Sequence, residues 1–200
     1  AAPHGHTPRL PRTSMTAPRT TVPAVKPRYD NVAIALHWLL ALLLIGAFAV
    51  GSYMSDLPFS IQRIKLVNWH KWAGMTILAL TLLRLLWRLG HTPPPDAPAP
   101  RWQQQAARWT HRAIYLLCLV VPVVGWAYSS AVGVPIVWFG VLPLPDLLAK
   151  DKALADLIKP WHAALAYALA ALVLVHVAAA LKHHFVDGDG LLARMRPGRR

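Results

Sequence analysis

The chain has 200 residues, of which 56% are hydrophobic and only 14% are charged. Because soluble domains usually contain about 25% charged residues, this composition indicates a membrane protein. The single cysteine, Cys118, excludes a disulfide framework and any cysteine-based zinc or iron–sulfur site.

The first 28 residues are rich in Pro, Thr and Arg and contain almost no large apolar side chains. This composition predicts a disordered basic tail. The tail lacks the apolar run of a secretory signal, and we assign no role to His4 or His6. Because the chain begins with Ala, Met15 is an alternative start.

Four apolar segments follow, and each approaches or exceeds the roughly 20 residues that a helix needs to cross a bilayer. A proline-rich stretch, "HTPPPDAPAP", separates the second from the third, and Pro122 should kink the third. The sequence therefore predicts an all-α integral membrane four-helix bundle over residues 29–188, followed by a basic C-terminal tail, 189–200. The predicted spans are 31–54, 67–89, 106–128 and 160–186.

The connection between the third and fourth spans has two parts. "VGVPIVWFGVLPLP" is apolar, and its Trp138 and Phe139 favour a position at the membrane interface. "DLLAKDKALADLIK" is amphipathic and predicts a separate short surface helix.

Lys and Arg are concentrated in both terminal segments and in the second connection, and they are sparser in the first and third connections. The positive-inside rule then predicts that both termini are cytoplasmic and, in a bacterium, that the protein lies in the inner membrane. The same rule accounts for the net charge of +13. We therefore predict contact with the lipid bilayer and no nucleic-acid partner.

Histidines interrupt the predicted spans at matching depths. His162 and His176 are fourteen residues apart, which places them on one helix face about 21 Å apart along the axis. His70 has the depth of His162, and His37 has that of His176 to within about a turn. These depths predict two cross-helix pairs, as a six-coordinate haem requires, and the absence of CxxCH favours haem b.

Other interpretations of the same residues remain open. The histidines could relay protons in a proton-coupled transporter, or the chain could be a haem-free assembly subunit. His111 could replace His37 as a ligand, although it sits beside Arg112 in a basic stretch, where it could bind a haem propionate or a quinone carbonyl. The roles of His183 and His184, near the end of the fourth span, are also open.

Arg84 lies fourteen residues after His70, and therefore on the same helix face at the depth of the His37–His176 pair. An arginine within a membrane needs a polar partner. Two partners are equally compatible with the sequence: a haem propionate and the lipid headgroups. Gly74, one turn after His70, could leave room for a flat macrocycle.

The chain resembles the bacterial cytochrome b561 family, which is related to the b subunits of nickel–iron hydrogenase and formate dehydrogenase. The resemblance covers about 170 residues and is carried by "LHW", "HKWAG", "LRLLWRL", "HRAIYLLCLVVPVVGW" and "WHAALAYALAALVLVHVAAALKHHF". It implies two b haems, one held by His37 and His176 and the other by His70 and His162.

The resemblance also implies electron exchange with a quinone or quinol. We therefore expect a membrane electron carrier, with the oxidoreductase activity depending on the donor. Superoxide, another small reductant and a redox partner protein are all open as donors.

Overall fold

The computed structural model describes residues 28–95 and 99–198, so the predicted disorder of the N-terminal tail lies outside the described residues. Four helices run along the chain: α1 (Asn31–Ser55), α2 (Ile61–Gly90), α3 (Arg101–Val132) and α4 (Lys152–Lys182). Each of the four is long and apolar enough to cross a membrane. The predicted all-α membrane four-helix bundle is therefore confirmed.

Three of the helices begin at a side-chain cap. Asp30, Ser60 and Asp151 each accept a hydrogen bond from the backbone N–H three residues further on, which satisfies one of the unpaired donors of a helix start. Helix α3 follows Pro100 and ends at Gly133, whose φ of 80° lies in the left-handed region that favours glycine.

The separate surface helix predicted over 146–159 is wrong, because residues 152–182 form one continuous helix. The predicted boundary was Pro160, but α4 continues through this proline, as α3 does through Pro122. The Asp151 cap explains the difference, since it starts the helix two turns before the apolar run. Charges of this first part remain at the surface, where Lys152 pairs with Asp156 (2.6 Å).

Neighbouring helices pack in sequence order, α1 on α2, α2 on α3 and α3 on α4. Aromatic side chains also link α1 to α4, with the ring centres of Phe48 and Tyr167 5.5 Å apart. The loops 56–60 and 133–151 lie at one end of the bundle, which we call the hairpin end. The loop 91–100 and both chain termini lie at the other end, the terminal end.

A small hairpin that the sequence did not predict occupies the apolar part of the α3–α4 connection. Its strands, β1 (Val137–Trp138) and β2 (Leu142–Pro143), pair antiparallel around a turn in which Phe139 and Gly140 have φ of 52° and 74°. Two indole N–H groups attach the hairpin to α2. That of Trp72 donates to the carbonyl of Val137 (2.6 Å), and that of Trp138 donates to Thr76 Oγ1 (3.2 Å).

Lys71 holds the same connection from the turn that carries His70. Its Nζ donates to the carbonyls of Pro135 (3.0 Å) and Val134 (3.3 Å) and to Ser129 Oγ (3.3 Å). The ammonium group thereby ties α2 to the last turn of α3 and to the segment that leads into the hairpin. Carbonyl groups at a helix C-terminus favour such a cation.

We expect Lys71→Met to lower the stability of the detergent-solubilised protein by about 1 kcal/mol, because charge-assisted hydrogen bonds to backbone carbonyls are lost. Thermal denaturation followed by circular dichroism measures the change. Lys65→Met, at an exposed position earlier in α2, is the control and should melt like the unmodified protein. Equal melting of both variants would contradict the assigned role of Lys71.

Candidate functional site

The four histidines singled out in the sequence meet in two pairs inside the bundle. At the hairpin end, the ring centres of His70 on α2 and His162 on α4 are 6.1 Å apart, with an interplanar angle of 89°. At the terminal end, His37 on α1 and His176 on α4 are 6.2 Å apart, at 73°. All four side chains are partly buried. Helix α4 contributes one ring to each pair.

The spacing within each pair suits a single metal atom between two imidazoles. A bond from a metal to a histidine nitrogen is about 2 Å long, and the ring centre lies about 1 Å further, so two trans imidazoles on one metal have centres about 6 Å apart. Both observed distances agree with this value. The residues present therefore fit an axially ligated haem iron at each end.

The hydrogen bonding of His70 leaves one ring nitrogen available as a ligand. Its Nδ1 lies 3.0 Å from the backbone carbonyl of Ala47. Because a carbonyl only accepts, Nδ1 must carry the proton, and Nε2 then keeps its lone pair. Metal-ligating histidines are commonly oriented by this kind of bond.

The ring of His162, unlike that of His70, lacks a hydrogen bond at Nδ1 within the described part of the chain. Its Nδ1 is buried and has no hydrogen-bond partner among the described residues. The backbone carbonyl of Val121 is the nearest candidate acceptor, but its contact with the ring does not meet hydrogen-bond geometry. An unsatisfied buried polar atom costs free energy, so this ring is held less firmly than that of His70.

Two glycines that the sequence analysis did not single out make room for the hairpin-end rings. A Cβ at Gly51 of α1 would stand 2.9 Å from Cε1 of His70, and one at Gly125 of α3 would stand 2.8 Å from Cε1 of His162. The Cε1–Nδ1 edge of each histidine thus packs against the backbone of a neighbouring helix at a glycine, where no side chain intervenes. A Cβ at Gly74, the glycine that the sequence analysis singled out, would meet no atom of the described residues within 4 Å.

His111 joins the terminal-end pair as a third ring. Its centre lies 5.2 Å from that of His176, at an interplanar angle of 67°. His111 is exposed, whereas His37 is half-buried. The His37–His176 distance, rather than the shorter His111–His176 distance, matches the spacing at the hairpin end.

Arg84 lies at the level of the terminal-end pair, as its register predicted. Its Nε donates to Tyr115 Oη (2.7 Å) and its Nη1 donates to the carbonyl of Ala33 (2.6 Å), one turn before His37. The guanidinium therefore joins α2 to α1 and α3 from a half-buried position. Tyr115 was not identified from the sequence, since a tyrosine in an apolar helix carries no distinctive spacing.

The remaining singled-out residues lie away from the two pairs. The His183 ring contacts Asp189 (2.6 Å) and Asp187 (3.1 Å), and His184 packs on Phe185. Cys118 is buried in α3.

The chain is similar to known proteins over most of its length. The profile of the family described as prokaryotic cytochrome b561 matches residues 28–198. Cytochrome b561 homolog 2 of Escherichia coli K12 is 37% identical over 172 residues, covering 84% of this chain and 90% of the relative. The protein named "Probable superoxide oxidase CybB" of Yersinia pestis is 33% identical over 175 residues, covering 86% of this chain and 98% of the relative.

A third relative, cytochrome b561 homolog 1 of Escherichia coli K12, is 29% identical and covers 86% of this chain and 99% of its own length. The matched region includes all four helices and both histidine pairs. The chain therefore belongs to the prokaryotic cytochrome b561 family, and it is a multi-pass membrane b-type cytochrome that transfers electrons.

Proposed function

We propose that the chain holds two b haems, one between His70 and His162 and one between His37 and His176, and that it carries electrons between the two ends of the bundle. The observation that supports this most strongly is the recurrence of one geometry. The two histidine pairs have ring centres 6.1 and 6.2 Å apart, and their members on α4, His162 and His176, are fourteen residues apart.

A bound haem supplies a reversible one-electron iron couple. Two histidines would hold the iron at each site, so no iron position would be left for a substrate. This arrangement favours outer-sphere electron transfer over chemistry at the metal. Ligation, burial and nearby charge are the means by which the protein tunes each potential.

The two sites are separated along the membrane-crossing direction. On the continuous helix α4, His162 and His176 lie about 21 Å apart along the axis. We infer that electrons move between the hairpin end and the terminal end. The distribution of Lys and Arg supports a cytoplasmic terminal end and, in a bacterium, a protein of the inner membrane.

We propose that a quinone or quinol reacts at the terminal end, beside His111. This imidazole is exposed, lies 5.2 Å from His176 in ring centres, and follows a basic stretch on α3. A neutral imidazole has one donor and one acceptor nitrogen, so His111 could bond to a quinone carbonyl and exchange a proton at this end of the bundle. Superoxide, which the printed name of one relative mentions, another small reductant and a redox partner protein remain candidate donors.

A proton-coupled transporter receives less support from the geometry. The Nδ1–H of His70 is committed to the Ala47 carbonyl, so this ring cannot pass a proton without breaking that bond. The two pairs are also about 21 Å apart along α4. A haem-free assembly subunit would not need two equal imidazole spacings.

Replacement of one ligand should remove one haem and spare the other. The unmodified protein is expected to contain about two haems per chain by pyridine haemochrome assay, and His162→Ala and His176→Ala about one each, because each substitution removes an axial nitrogen. His184→Ala, at an exposed position beyond the pairs, is the control. A haem-free protein, or full occupancy in both ligand variants, would contradict the proposed ligands.

The glycines beside the hairpin-end pair give a second test. Gly125→Ala places a methyl group 2.8 Å from His162 Cε1, so the ring must shift and haem occupancy at that site should fall by half or more. Gly46→Ala is the matched control, because a Cβ there meets nothing within 4 Å. Haem content and the ferric electron paramagnetic resonance (EPR) spectrum measure the effect. Unchanged values for Gly125→Ala would contradict the assigned packing.

The quinone proposal predicts a kinetic defect without haem loss. We expect His111→Ala to keep about two haems but to slow haem reduction by ubiquinol about tenfold, the effect of one lost hydrogen bond of about 1.4 kcal/mol. Stopped-flow absorbance measures the rate. His91→Ala is the control, since His91 stacks on Trp87 outside the pairs. An unchanged rate would place the quinone elsewhere.

A further inference from the structure

The last residues of the described chain fold back across the terminal end of the bundle. We call residues 188–198 the C-terminal strap. After α4 and one wide helical turn (His183–Asp187), the backbone adopts the left-handed conformation at Gly188 (φ 62°) and Gly190 (φ 75°). These two positions redirect the chain, and Leu192–Met195 then form a short 3-10 helix.

Polar contacts fix the strap at its root. Asp189 accepts hydrogen bonds from the His183 ring (2.6 Å) and from the backbone N–H of Leu191 (2.9 Å). Partial burial alone would raise the pKa of the Asp189 carboxyl. The Leu191 N–H, the His183 ring and the charge of Arg194 outweigh this effect and hold that pKa below its ordinary value. The Asp189 carboxyl is therefore ionised at neutral pH and can accept both hydrogen bonds.

The far part of the strap is attached to two other elements. The carbonyl of Arg194 accepts from the Tyr29 N–H (3.3 Å), just before α1, and the Arg194 guanidinium donates to the carbonyl of Pro95 (2.7 Å) in the α2–α3 loop. The carbonyl of Met195 accepts the indole N–H of Trp38 (2.8 Å). Leu191, Leu192 and Met195 are half-buried by this packing.

Trp38 connects the strap to the terminal-end pair. Its ring stands edge-on to that of His37, with ring centres 5.5 Å apart and an interplanar angle of 75°. Because the indole N–H is bonded to Met195, the strap determines where the indole lies. The hairpin-end ligand His70 is oriented differently, since its bond goes to a carbonyl of α1 itself.

We propose that the C-terminal strap is a positioning element of the terminal-end haem site: the Met195 carbonyl holds Trp38, and Trp38 in turn sets the orientation of the His37 imidazole. This inference rests on the proposed His37–His176 ligation. It implies that one of the two haems responds to the strap and the other does not. Trp38 is a positioning residue here, because it acts through His37.

The test uses the full-length protein with both haems and two variants of the contact. Trp38→Phe keeps an aromatic ring but removes the N–H donor, and a chain ended after Asp187 removes the strap. Trp69→Phe is the matched control, since Trp69 is an exposed tryptophan that adjoins His70, the proposed ligand on α2, as Trp38 adjoins His37 on α1. Redox titration and ferric EPR resolve the haems, and His176→Ala identifies the terminal-end signal by its loss.

We expect Trp38→Phe and the shortened chain to shift the midpoint potential and EPR signal of the terminal-end haem alone. The EPR signal of a low-spin ferric haem depends on the angle between its axial imidazole planes, which a merely structural role of the strap would not change. Trp69→Phe should leave the terminal-end signal unchanged. Identical signals in Trp38→Phe and the unmodified protein, or equal shifts of both haems, would overturn the proposal.

A second readout needs no haem. Hydrogen–deuterium exchange of the strap amides should become faster in Trp38→Phe, while exchange in α2 and α3 stays the same. Unchanged exchange in the strap would overturn the contact between Met195 and Trp38. A failure of the proposed ligation has a different signature, because His176→Ala would then retain both haems.

Discussion

An imidazole inside an apolar bundle must be satisfied by hydrogen bonds or by a metal, and this requirement organises the whole structure. Four such rings lie within the described membrane helices in two pairs. Backbone groups satisfy only part of their polar capacity, as the bonded Nδ1 of His70 and the unpaired Nδ1 of His162 illustrate. The glycines beside the hairpin-end rings provide the space that these imidazoles occupy between neighbouring helices.

Periodicity and apolar length were enough to predict the four helices and the meeting of the histidines, because both depend on the constant rise and pitch of a helix. The start of α4 could not be predicted from periodicity, because an amphipathic helix and an apolar membrane helix have the same helical period. The Asp151 cap, which marks the start, was not recognised in the sequence. The hairpin around Phe139 was missed because its short strands carry no clear alternation. Gly51 and Gly125 were missed because the distance between helices depends on how they pack, and the spacing of residues along the sequence does not reveal it.

The two ends of the bundle hold their histidine pairs by different means. At the hairpin end, backbone atoms and bare glycine positions of neighbouring helices touch His70 and His162 directly. Lys71 and two tryptophans then attach the α3–α4 connection to α2 close by. At the terminal end, side chains make the corresponding contacts. Arg84 joins three helices, and Trp38 links His37 to the C-terminal segment of the chain. The hairpin-end pair is thus held mainly by the helices themselves, whereas the terminal-end pair also depends on contacts from the C-terminal strap.

Helix α4 supplies a ring to both pairs, and this sharing restricts how the protein can vary. Adding or deleting one residue between His162 and His176 would rotate one ring by about 100° relative to the other, so at least one pair would be lost whatever else changed. Length in this stretch is therefore constrained as strictly as the histidines themselves, while the identity of the intervening small apolar residues is comparatively free. The fourteen-residue interval therefore fixes the relative orientation of His162 and His176, and both histidine pairs depend on it.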